Sequence, residues 1–284
     1  MSGWRFAFTG RWFGWLALAI VFAIVCSFLG TWQLNRRAEA QAEITRIDNN
    51  YASEPRPLDE VLPTLDSFDE SQKWTPVEMT GQYLADEELL VRNRPQSGQP
   101  GFEVLTPLLL EDGTVFVVDR GWLPVGNEQD EPDMVPEPPT GEVTVVARLK
   151  AGEPVLEGRG VPAGSDQIAT IHLPSVEEHV ARDTYTGAYG LMVSENPPAE
   201  QRPVAALKPI RDEGPHLSYA LQWFVFAIMG FMALGWALRQ EYRVINSDDP
   251  EEQARAHERE RRKAAKAPSD ADIEDAILDA RPPR

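Results

Sequence analysis

The chain has 284 residues, enough for one or two domains, and a formal net charge of −18 from 27 Lys+Arg and 45 Asp+Glu. That sign argues against a partner made of nucleic acid, because phosphate neutralisation needs a basic surface. Cys26 is the one cysteine, which excludes a disulfide framework, a multi-cysteine metal site or paired-thiol chemistry within the chain.

A mean hydropathy of −0.35 averages a polar majority with two very apolar stretches. Trp12 to Asn35 is a run of 24 residues without a formal charge, and Leu217 to Leu238 is a run of 22. At the rise of an α-helix each reaches roughly 30 Å, the thickness of a bilayer's hydrocarbon core. Trp12, Trp15 and Trp32 flank the first run, while Trp223 and Trp236 lie near the ends of the second, as aromatic belts do. The reading is two transmembrane helices, 12–35 and 217–238, surrounded by membrane lipid. A cleavable signal peptide competes for the first run, with Arg5 and Arg11 as its basic region and Ala38-Glu39-Ala40 as its cleavage site. That run is far longer than a signal core, and Arg36 and Arg37 stand between it and the site, so a retained anchor is favoured.

Residues 1–35 carry +2, residues 36–216 carry −18 and residues 217–284 carry −2. Arg5, Arg11, Arg239 and Arg243 place both termini in the cytoplasm, with Arg36 and Arg37 opposing. The expected layout is a multi-pass plasma-membrane protein. It has a cytoplasmic N-terminus over 1–11, an extracytoplasmic domain over 36–216 and a charged cytoplasmic tail over 239–284.

Glu39 to Asn50 is expected to continue the first helix until Pro55 and Pro57 end it. Strand-like runs follow over Val77–Tyr83 (broken at Gly81), Glu88–Val91, Phe102–Leu110, Thr114–Asp119 and Val143–Leu149, each bounded by Gly, Pro or Asn/Asp. Asp112-Gly113 marks a hairpin between the third and fourth. Further candidates are Gln167–His172, Gly190–Ser194 and Val204–Lys208, with a helix around Ser175–Arg182. The fold class is therefore two transmembrane helices flanking a β-rich domain, a mainly antiparallel sheet or small barrel with minor helix. Val125–Gly141 reads as an acidic, proline-rich surface loop. The tail from Ser247 suits a solvated helix or a disordered extension.

The sequence holds no G-x-S-x-G elbow, P-loop or dinucleotide-binding glycine pattern. His172 and His179 read as structural or solvated, since a metal site needs three or four converging ligands. His216 stands just after Pro215, where the second span begins, and Tyr219, Gln222 or Trp223, and Phe226 follow at helical spacing. A neutral imidazole there can ligate haem iron between flat rings, or it can be an interfacial histidine among belt aromatics; spacing leaves both open. Trp32, Gln33 and Arg36 likewise either anchor the first helix or face the second and complete a shared site. Cys26 reads as a small apolar filler, and Gly10 with Gly14 as a weak helix-pairing motif.

Three landmarks together resemble the Surfeit locus protein family, the assembly factors of haem-copper cytochrome c oxidase. They are Leu29-Gly30-Thr31-Trp32-Gln33-Leu34-Asn35-Arg36, the hairpin from Gly101-Phe102 through Asp112-Gly113 to Arg120-Gly121-Trp122-Leu123-Pro124, and His216-Leu217-Ser218-Tyr219-Ala220-Leu221-Gln222-Trp223-Phe224. The resemblance implies no enzymatic activity but a chaperone role in oxidase biogenesis: haem a insertion or stabilisation of the catalytic subunit of cytochrome c oxidase. Haem a is the implied transient cofactor, and haem a synthesis proteins are candidate partners. His216 is the candidate iron ligand, and Tyr219, Gln222, Trp223 and Trp32 are candidates for shaping the pocket. The alternative function is a haem-independent membrane scaffold or accessory subunit of the oxidase.

Overall fold

The computed structural model describes residues 3–127, 130–156, 158 and 166–264. In chain order the first elements are α1 (Gly10–Asn50), β1 (Arg56–Pro57), α2 (Leu58–Val61), β2 (Pro76–Tyr83), β3 (Leu89–Val91), β4 (Gly101–Leu110) and β5 (Val115–Pro124). Then come β6 (Glu142–Ala151), β7 (Gln167–Ile168), α3 (Leu173–Val180), β8 (Ala188–Asn196), α4 (His216–Ile245) and α5 (Pro250–Ala264). They form two compact units, one joining residues 1–37 with 215–284 and the other Ala38–Gly214.

In the first unit α1 and α4 run antiparallel. Both are long and apolar enough to cross a membrane, and almost none of their most apolar windows is buried within the protein. Shielded positions on α1 include Ala19, Ala23, Cys26, Gly30 and Gln33, and on α4 His216, Ala220, Trp223, Ala227 and Gly230. Both sets alternate steps of three and four residues, which keeps one seam facing a partner helix. Small residues on one helix receive rings from the other: Phe224 sits over Gly30, and Phe22 over Gly230. Cys26 and Ala220 are fully buried in this seam, consistent with the filler role expected of the cysteine. Gly10 and Gly14 touch nothing across the seam. At the far end Arg11 pairs with Glu241, Trp4 stacks on Tyr242 at 4.4 Å, and the Gly3 N–H donates to Asn246 Oδ1 at 2.8 Å.

The second unit begins with the end of α1. Ala38, Ala40, Gln41 and Ala42 are strong helix formers, so the helix runs on to Asn50 before Pro55. Beyond it, β2, β6, β8, β5 and β4 pair in that order and β4 returns to β2, closing a five-stranded ring; β1, β3 and β7 add to its edges. The sheet is mainly antiparallel, as expected, with short parallel pairings of β5 with β8, β1 with β2 and β3 with β7. Gly81 does not break β2. It lies where β2 meets β4, and a Cβ there would come within 2.3 Å of the Leu109 carbonyl oxygen, so the ring closes through a residue without a side chain.

Side-chain alternation splits the core in two. Val77, Met79, Phe116, Val118, Val145 and Leu149 fill one cluster. Val115 and Val117 turn to the other, with Leu89, Val91, Leu105, Ile47 of α1 and Leu173, Val176 and Val180 of α3. Strand β5 is thus buried on both faces, which accounts for the apolar run Val115–Val118. It also continues past Asp119 to Pro124. Val204 forms only a bridge to Trp122 rather than a strand over Val204–Lys208. The tail from Ser247 is helical over α5, as far as Ala264.

Two charged residues are buried in β5. The Arg120 guanidinium is enclosed and donates to the carbonyls of Pro136 and Glu137 at 2.8 and 3.1 Å and to Glu88 at 3.3 Å, tying down the acidic proline loop. Asp119 accepts from the Gly121 N–H at 2.9 Å, close to Glu103, Arg94 and Lys150. Burial, with the nearby Glu103 carboxylate adding to it, pushes the Asp119 carboxyl well above its usual range.

A carboxyl raised in the folded state stabilises the fold while protonated and loses that contribution as pH rises through its folded value. Asp119→Asn keeps an acceptor for Gly121. It is expected to unfold at higher temperature than wild type at pH 8, with the difference closing towards pH 4 in thermal melts. Gly81→Ala is expected to cost about 1–3 kcal/mol through overpacking, read as a lowered melting temperature without change in strand content by circular dichroism.

Candidate functional site

His216 is the first residue of α4, with Pro215 as the N-cap residue. Proline suits this place because the helix start has no use for its missing N–H. The imidazole Nδ1 lies 2.8 Å from Gln33 Oε1 on α1, a hydrogen bond across 183 residues of sequence. An amide oxygen only accepts, so this contact is a hydrogen bond in the tautomer that carries the ring proton on Nδ1. Nε2 has no hydrogen-bond partner among the described residues and is not buried. One helical turn before Gln33, Gly30 carries the Phe224 ring, which sets how the two helices meet beside the pair.

The other expected site residues divide into two groups. Trp223 belongs to the seam, seven residues after His216, and packs edge-to-face on Phe226 at 5.9 Å and 85°. Tyr219 is about half exposed and lies on the His216 side of α4. Gln222 is exposed and points away from the seam. Trp32 is also about half exposed and lies one residue, or about 100°, round α1 from Gln33. Its ring takes the Arg36 guanidinium at 5.8 Å rather than meeting His216. The residue of the first span that reaches His216 is therefore Gln33, a site residue rather than only an anchor. Continuing the three-and-four step from Ala19 to Gly30 leads to Gln33 and passes Trp32 by.

The remaining histidines are engaged locally. His172 Nδ1 is 2.8 Å from Ser175 Oγ, and His179 Nε2 is 3.4 Å from Glu87. An apolar groove of about 870 Å³ lies at the other end of the helix pair, lined by Trp12, Trp15, Phe22 and Trp236 and bounded by Arg11 and Glu241. It is about twenty residues of helix from His216 and shares none of its chemistry.

The His216 imidazole has the chemistry that a haem iron asks of one protein ligand. A ligating imidazole uses one nitrogen and is held through the other by an acceptor, as Gln33 holds this one. The Trp223 ring stands about two turns along the same helix.

The SURF1 family model matches residues 20–228, a span that includes all three sequence landmarks and both partners of the pair. The chain belongs to the SURF1 family. SURF1-like proteins of Mycobacterium bovis and Mycobacterium tuberculosis are each 34% identical over 236 residues, covering 81% of this chain and 85% of theirs. The cytochrome oxidase assembly protein SHY1 of Saccharomyces cerevisiae is 31% identical over 121 residues, 42% of this chain and 30% of that protein. Membership of this SURF1 family thus links the chain with cytochrome oxidase assembly in general.

Gly30→Val would put its Cβ within 2.8 Å of the Phe224 ring and force the helices apart. In detergent the full-length variant is expected to lose helix at a lower temperature than wild type, by about 1–3 kcal/mol of overpacking strain. Adding Phe224→Ala should restore part of the loss.

Proposed function

We propose that the protein is a non-catalytic assembly factor for haem-copper cytochrome c oxidase, one that holds haem a at the His216 end of its helix pair and delivers it to the catalytic subunit during biogenesis. Family membership and the yeast relative, a cytochrome oxidase assembly protein, support the oxidase. The observation that carries haem is the His216 imidazole, held through Nδ1 with Nε2 unengaged.

When bound, haem a would supply an iron that an imidazole nitrogen can hold and a large apolar macrocycle. His216 would ligate it through Nε2. Trp223, seven residues along the same face of α4, and Tyr219 between it and His216 would offer apolar ring surface to the macrocycle, while Trp32 and Gln222 lie off the seam. Lipid-facing helices keep an apolar cargo out of water. A single imidazole from the protein keeps the hold weak enough for release. The proposed topology has both termini in the cytoplasm and residues 36–216 outside, where the β-rich unit would dock on the nascent oxidase.

The test is the absorption spectrum of protein purified from haem-a-producing cells. Wild type is expected to carry haem a. His216→Ala should carry at least about tenfold less, the change that ~1.4 kcal/mol of lost binding produces. Unchanged occupancy in the variant removes the ligand assignment. A spectrally silent wild type that still purifies with oxidase subunit I supports the haem-independent scaffold instead.

A further inference from the structure

We infer that Gln33 is a positioning residue whose amide oxygen fixes the His216 imidazole in the tautomer that leaves Nε2 bare. The inference rests on the proposed haem reading for its use, but its physical content concerns this chain alone.

A neutral imidazole carries one proton, and its second nitrogen is the only one that can donate an electron pair. With Gln33 Oε1 2.8 Å from Nδ1, the proton sits between them and the lone pair is on Nε2. The hydrogen bond also limits rotation of the ring, because its acceptor is on a different helix. Imidazole orientation therefore depends on α1 and α4 being paired, and Gly30 under Phe224 sets that pairing one turn away. A helix that separated would lose both the ring's orientation and its tautomer preference.

The choice of an amide has a consequence for affinity. A carboxylate in the same place would draw the Nδ1 proton towards itself and make Nε2 more basic, strengthening a bond to iron. It would also put a charge at the end of two apolar helices, where an unpaired charge is costly. Glutamine orients the ring with neither effect, which suits a site that must give up what it holds.

The experiment uses the full-length protein in lipid nanodiscs, with histidine ring nitrogens labelled and the His216 signals assigned by their loss in His216→Ala. Wild type and Gln33→Glu are expected to show a protonated Nδ1 and a bare Nε2, whereas Gln33→Leu shifts the ring towards the Nε2-protonated form. Titrated with purified haem a, Gln33→Leu should bind about 10–100-fold more weakly than wild type, as removal of such a supporting acceptor does. Gln33→Glu should bind at least as tightly as wild type and lower the reduction potential of the bound haem, a change that a purely structural role would not produce. An Nε2-protonated ring in wild type, or an unchanged ring spectrum in Gln33→Leu, would overturn the inference. The stated tautomers with no haem a binding by wild type would instead leave Gln33's hold on the ring standing and sink the haem reading.

Discussion

The hydrogen bond between Gln33 and His216 joins two segments that are far apart in sequence and individually unremarkable in composition. Nothing local orients either side chain: Gln33 is one polar residue in an apolar helix, and His216 is the first residue after a proline. The seam between α1 and α4 brings them together, through small residues on each helix that accept rings from the other. Without that seam the imidazole would be an ordinary interfacial histidine, turning freely and exchanging its proton with water. With it, one nitrogen is engaged and the other is available.

The Ala38–Gly214 unit is stabilised by different means. Its five-stranded ring closes where Gly81 allows β2 to approach β4, and its central strand β5 is buried on both faces. Two buried charged residues in that strand find partners within the unit: Arg120 donates to Glu88 and to carbonyls of the acidic loop, with its Nε left unpaired among the described residues, and Asp119 accepts from the Gly121 N–H. Buried groups of this kind cost stability when left unpaired. Arg120 thereby gives the acidic loop a fixed attachment, although the loop's composition alone reads as a free surface segment. Each unit has its own core or seam, and the polar pair at His216 belongs wholly to the helical one.

Much of this was legible in the sequence, for physical reasons that differ by element. Runs of 24 and 22 uncharged residues leave little alternative to long apolar helices, and the hairpin at Asp112-Gly113 follows from turn chemistry. Gly81 was misread as a break because a glycine in a strand looks the same whether it ends the strand or admits a neighbour. The parallel pairings of β5 with β8 and β3 with β7 involve partners far apart in sequence, which local alternation does not encode. His216 stood out by its position after Pro215. Gln33 did not, because its neighbour Trp32 is the more conspicuous residue and only the spacing of Ala19, Ala23, Cys26 and Gly30 points past it.

The account depends on residues 33 and 216 meeting at one rim of the bilayer. The most direct test places Gln33→Cys and His216→Cys together in a Cys26→Ser background and adds a mild oxidant to intact membranes. The account predicts rapid formation of an intramolecular disulfide, and labelling of both positions by an impermeant thiol reagent applied from the extracytoplasmic side. No cross-link, or labelling of the two positions from opposite sides, would contradict it.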